Sequence, residues 1–194
     1  IVSAQEGSIP EYCTGRQPDS LVLAQTCKLQ EVDCFELEHV LNKEFPGSTN
    51  SVEFRQDKDT YVALRFSTEG LTHKSGRWVF ETAQFDARGQ GPKLMSISTC
   101  PGDFDEKAIE SEMGENCLVH VSGLNQLIWI RAGANVSDFR ERISCKLHRD
   151  NTYYLNIMYT SQPKGTPPSE LVWDCSGNKN AANCGNLMAA SYTQ

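Results

Sequence analysis

No stretch of this 194-residue chain approaches the ~20 apolar residues with which a helix crosses a bilayer, so a helical membrane span is not expected. Lysine and arginine form no cluster. With 18 basic residues against 25 acidic ones, the formal net charge is −7. That balance opposes attraction to a phosphate backbone, and nucleic acid is not an expected partner. The sequence holds no G-x-S-x-G elbow, no H-E-x-x-H and no glycine-rich phosphate loop with its lysine. It also lacks the C-x-x-C pairs of a zinc site. No cofactor is expected, and hydrolysis outside the cell ranks behind any function exercised by contact.

What the chain does have is cysteine. Cys13, Cys27, Cys34, Cys100, Cys117, Cys145, Cys175 and Cys184 make an even count spread along its length. The nearest spacings, six residues between Cys27 and Cys34 and eight between Cys175 and Cys184, suit disulfides rather than a metal. Four bridges are expected, and with them an oxidising compartment. The opening "IVSAQEG" lacks Met and reads as a mature secreted chain after signal-peptide removal. Cys175 with Cys184 and Cys100 with Cys117 would each close a local loop between strands that turn back on one another. Cys13, Cys27, Cys34 and Cys145 would then tie the N-terminal region to the body.

From Asp59 onward the hydrophobic pattern is mostly period two. "TYVALRF" sets Val62, Leu64 and Phe66 on one face, and "TYYLNIMYT" does the same for Tyr153, Leu155, Ile157 and Tyr159. Further strands are expected at 76–85, 93–99, 117–121, 125–131, 170–175 and 187–193. Gly, Pro, Asn and Asp fill the intervals, as in "DARGQGP" and "SQPKGTPPS". Short strands without a βα rhythm predict a mainly β fold, an antiparallel two-sheet sandwich or jelly roll.

The first fifty residues read differently. "EVDCFELEHVLNKEF" spaces Cys34, Leu37, Leu41 and Phe45 as a helical stripe, which Pro46-Gly47 ends. Residues 1–50 are therefore expected to form a disulfide-tethered, partly helical extension packed on a sandwich domain spanning 51–194.

An acidic insert lies between Cys100 and Cys117, where Asp103, Asp105, Glu106, Glu110, Glu112 and Glu115 place six carboxylates within thirteen residues. If it held a hard cation, Asp103, Asp105 and Glu106 would be the candidate ligands. The order is not that of an EF-hand, and "DFDEKAIESEM" suits a short surface helix, capped by Asp103 or Asp105 with Phe104, Ala108, Ile109 and Met113 turned inward. No high-affinity metal site is expected. The four histidines are dispersed, and His120 reads as a structural member of a strand. Trp129 and Trp173 sit in apolar runs and read as core. Alternation sets Tyr154 and Asn156 opposite the apolar face of their strand, which makes them the candidate ligand-binding pair for sugar stacking. Asn135-Val-Ser is a glycosylation acceptor.

"ISTCPGDFD", then Cys117, "LIWIRAG", Cys145-Lys-Leu and "NTYYLNIMYT" occur in this order. Across about residues 60–190 this series resembles small secreted bacterial proteins of unassigned function, which carry a C-P-G-D-F block and a Y-Y-L-N strand. The resemblance implies export and an all-β fold, and it brings no catalytic residue. Two functions are expected from these readings. The first is a secreted, non-catalytic binding or adhesion module recognising a glycan or a surface protein. The alternative is a structural subunit of an exported filament or coat, self-assembling through the arm from Ile1 to Tyr12.

Overall fold

A computed structural model describes residues 9–23, 49–67, 75–83, 92–121, 126–133, 145–148 and 150–193. The described chain is mainly β. Ten strands run in the order β1 (Val22–Leu23), β2 (Thr49–Asp57), β3 (Thr60–Ser67), β4 (Ser75–Ala83), β5 (Lys93–Ser98), β6 (Leu118–Val121), β7 (Gln126–Gly133), β8 (Cys145–Leu147), β9 (Thr152–Tyr159) and β10 (Asn183–Thr193). The helix α1 (Glu106–Met113) lies between β5 and β6.

The strands form two five-stranded sheets, β1-β3-β9-β5-β6 and β2-β10-β4-β7-β8. Most neighbours are antiparallel, as periodicity predicts, but β1 runs parallel to β3 and β8 parallel to β7. The expectation of wholly antiparallel sheets is therefore corrected: both parallel partners are very short strands at sheet margins. The strand expected over 170–175 is also corrected. Pro168–Glu170 form a 3-10 turn, and the following residues make only an isolated bridge between Cys175 and Asn178. The segment's donors go elsewhere: Val172 N–H donates to Gln162 Oε1 and Asp174 N–H to the Tyr159 carbonyl.

β9 lies at the centre of the first sheet. Its register with β3 sets Leu155 opposite Leu64 and Tyr153 opposite Phe66, and its register with β5 sets Ile157 opposite Met95. These side chains are buried and belong to one core with Val62, Ile97 and Leu147. Burying a leucine or phenylalanine of this kind contributes about 1.5–3 kcal/mol. The two sheets meet at a tight connection, since only Lys58 and Asp59 separate β2 in one from β3 in the other. Asp59 adopts a φ of 58° there, a conformation that Asp tolerates better than most residues.

Three disulfides are present among the described residues: Cys13–Cys100, Cys117–Cys145 and Cys175–Cys184. The local loop closed by Cys175 and Cys184 is as expected. Pairing of Cys100 with Cys117 is not: α1 fills the chain between them, and each reaches a more distant partner. Cys13–Cys100 ties residues 9–23 to the end of β5. Cys117–Cys145 joins the start of β6, at the margin of one sheet, to the start of β8, at the margin of the other. Cys145 thus serves within the body rather than holding the N-terminal region. Cys27, Cys34 and the helix expected near 31–45 lie outside the described residues.

Candidate functional site

The C-P-G-D-F block, residues 100–104, carries the densest polar chemistry in the described structure. β5 ends at Ser98, and the chain folds back across the face of its own sheet. Gly102 makes this return possible with a φ of 70° and with its α-carbon close to the Tyr61 ring, where a β-carbon would collide. Its N–H donates to Asn156 Oδ1 on β9 at 2.7 Å. Asn156 Nδ2 in turn donates to Ser96 Oγ at 3.0 Å and to the Cys100 carbonyl at 3.2 Å. Phe104 then turns into the core, edge-on to Tyr61 with ring centroids 6.2 Å apart.

Asp103 sits between these groups and is fully buried. Its Oδ2 accepts the Ser98 hydroxyl at 2.6 Å and Arg16 Nη1 at 3.3 Å, while Oδ1 accepts the Asp105 N–H at 3.1 Å. The Ser96 hydroxyl donates to its backbone carbonyl. Burial pushes the Asp103 carboxyl above its ordinary value, and the donors from Ser98, Asp105 and Arg16 work against that rise. Arg16 also donates through Nη2 to Glu112 on α1, a bond that holds Glu112 below its usual range and the guanidinium above its own. Arg16 therefore ties the N-terminal strap to both the block and the helix. Backbone contacts reinforce it: Phe104 N–H donates to the Arg16 carbonyl, and Gln17 Nε2 donates to that of Pro101.

The three candidate metal ligands part company in this arrangement. Asp103 points into the protein toward a guanidinium. Asp105 caps α1, accepting the Ala108 N–H through Oδ1 at 3.2 Å. Glu106 opens the helix and pairs with Lys164 at 3.2 Å. Among the described residues no three His, Cys, Asp or Glu side chains gather as metal ligands would. The helix reading of the insert holds in detail, with Ile109 buried, Met113 packed against the core and Gly114 ending the helix at a φ of 87°.

Asn156 is corrected as an outward-facing ligand residue. Alternation places it on the face opposite Leu155, as expected, but the returning block covers that face and takes up its amide. Tyr154, two residues earlier, is half-buried and lies opposite Arg65 on β3 and Ser98 on β5. His120 places Nε2 3.4 Å from the Thr160 carbonyl, consistent with a structural role. Trp173 is core, edge-on to Tyr159 with centroids 5.9 Å apart. Asn135 and the side chain of Trp129 lie outside what the structure describes.

One group carries a signal that sequence reading missed. Lys93, at the start of β5, is 1% exposed. Its Nζ lies 5.2 Å from the centroid of the Tyr159 ring. Burial depresses the ammonium to about 8. Tyr159 in turn packs with Trp173 and the Cys175–Cys184 bridge in a second small core.

Compared with models of known protein families and with characterised proteins, the chain matches none.

Proposed function

We propose that the protein is a secreted, non-catalytic binding module whose two sheets pack face to face as a sandwich and whose partner is a glycan or a surface protein. The observation that carries this reading is the internal use of its most reactive-looking block. Asp103, Asn156, Ser96 and Ser98 are all fully buried and spend their polar atoms on one another, on Gly102 and on Arg16. A catalytic carboxylate needs access to substrate and an adjustable proton. This one has no such access, and its role is to hold residues 9–23 and the block in place. Contact at the surface is the function that such a scaffold leaves.

Three features support the sandwich. The two-residue link between β2 and β3 and the Cys117–Cys145 bridge join the sheets at opposite margins. Beside that link, Gln56 of β2 reaches from one sheet to the other, where Nε2 donates to the carbonyls of Thr60 at 2.8 Å and Ile157 at 3.3 Å. Disulfides at dispersed points support an oxidising, extracellular setting. Among the described residues no helix is long and apolar enough to cross a membrane.

For a glycan, the contact proposed is Tyr154, whose ring would stack on a sugar face beside the Arg65 position. Glycan-array binding by the full chain should detect a ligand, and Tyr154→Ala should weaken it about tenfold, measured at a temperature where the variant remains folded. Absence of any glycan or surface-protein ligand, with turnover of a polysaccharide or peptide instead, would overturn the reading.

A further inference from the structure

Three of the four strands at sheet margins are short: β1 has two residues, β6 four and β8 three. β2 has nine. It pairs with β10 along that whole length, from Thr49↔Ser191 to Asp57↔Asn183. The register advances one residue for one, so no bulge turns the margin aside, and the strand contains no proline. Among the described residues no strand pairs with its other side. A margin of this kind offers a row of backbone donors and acceptors to one more strand.

The strand is also complementary to itself. In TNSVEFRQD, an antiparallel pairing about a two-fold axis through Phe54 sets Phe54 opposite its own counterpart and Glu53 opposite Arg55. Val52 then faces Gln56, and Ser51 faces Asp57. The axis is normal to the sheet and repeats each pair, so two oppositely charged pairs flank a central aromatic pair. Because such an axis keeps like faces together, the competing registers differ by two residues. Centring on Glu53 sets that acid against itself, and centring on Arg55 sets that base against itself. Opposite charges stabilise a cross-strand pair and like charges destabilise it, so the charges select one register.

We propose that the β2 margin is a self-association surface, on which a second copy of this chain pairs β2 to β2 about Phe54 and merges two five-stranded sheets into one of ten. The contact is isologous and closed, so it makes dimers and not filaments. It is independent of any glycan contact at Tyr154, which belongs to the other sheet.

Sedimentation of the full chain across a range from low to high micromolar concentration should show the mass rising from 21.6 kDa toward twice that value and stopping there. Arg55→Glu alone, or Glu53→Arg alone, sets like charges opposite each other twice and should weaken association by on the order of tenfold or more. An equimolar mixture of these two variants restores both opposite-charge pairs and should form a two-chain species. The double variant, which exchanges both charges within one chain, should self-associate as the wild type does, and it tests the register even if a single variant fails to fold. A wild type that stays a single chain would overturn the proposal. So would single variants that associate normally, a mixture and a double variant that both remain single chains, or an open series of larger species.

Discussion

Ser98 donates its hydroxyl proton to Asp103 Oδ2 over 2.6 Å, in a place where neither side chain meets solvent. The bond is short because the acceptor is a buried carboxylate, and it serves architecture: Asp103 gathers Ser98, Asp105 N–H and Arg16 into one node. Asp103→Ala leaves those donors without their acceptor. We expect a loss of about 3 kcal/mol in urea unfolding, in the range seen when one partner of a buried charge pair is removed. Arg16→Ala should cost less, since the Arg16 pairs are partly exposed. Equal stability of Asp103→Ala and wild type would show that the node is dispensable.

Gly102 and Gly114 separate two costs that glycine substitution usually mixes. Both have positive φ, 70° and 87°, but a β-carbon at Gly102 would collide with the Tyr61 ring, whereas at Gly114 it would meet nothing within 4 Å. Gly114 has a ψ of 179°, a region open almost only to glycine, so Gly114→Ala should cost the backbone strain, about 1–3 kcal/mol. Gly102→Ala adds overpacking against a buried ring and should lose about 2 kcal/mol more. Paired denaturation curves check the ordering, and equal losses would place the ring elsewhere.

Period-two strands such as β3, β5 and β9 are legible because each buries a clean apolar face, and α1 is legible because Asp105 caps it and Ile109 anchors it. β2 escapes that reading for a physical reason. Its sequence alternates Val52, Phe54 and Gln56, and the last is a polar residue at a fully buried position, retained because its amide serves the carbonyls of Thr60 and Ile157 on the other sheet. Asn156 misleads in the opposite sense: polarity on the second face of a strand normally means solvent, but here a loop 54 residues distant in sequence returns to cover it. Disulfide partners are hidden likewise, since Cys13 and Cys100 are 87 residues apart and only the tertiary fold brings them together. Local pattern reports local burial, and these three misses each involve a contact made over a long sequence distance.

The bridges span 87, 28 and 9 residues for Cys13–Cys100, Cys117–Cys145 and Cys175–Cys184. If each acts mainly by limiting the unfolded chain, paired Cys→Ala replacement should cost about 4.6, about 3.6 and about 2.7 kcal/mol in that order. Urea midpoints of the three double variants test the ranking. A larger loss at Cys175–Cys184 than at Cys13–Cys100 would mean that packing around Tyr159 and Trp173 outweighs loop closure.

Lys93 gives the fold a dependence on alkaline pH. Its ammonium titrates at about 8 when folded and at the ordinary 10.5 when unfolded, because burial beside Tyr159 removes water from the charge. Between those values the unfolded chain holds a proton that the folded chain has released. Stability should therefore rise as pH increases from about 8 toward 10.5, and the full cost of the buried charge is present below 8. Tyr61 acts in the other direction: burial pushes it up from 10.0 to about 12, so its contribution is lost as pH rises between those values. Together they set a stability maximum near pH 10 among these two titrations. Lys93→Met keeps the apolar stem and removes the charge, so it should stabilise the protein by about 1–3 kcal/mol at neutral pH and abolish the rise above pH 8. Urea unfolding of both proteins across this range decides the matter. A variant less stable than wild type at neutral pH, with the alkaline rise intact, would show that the rise originates at another group and that the Lys93 ammonium is satisfied where it lies.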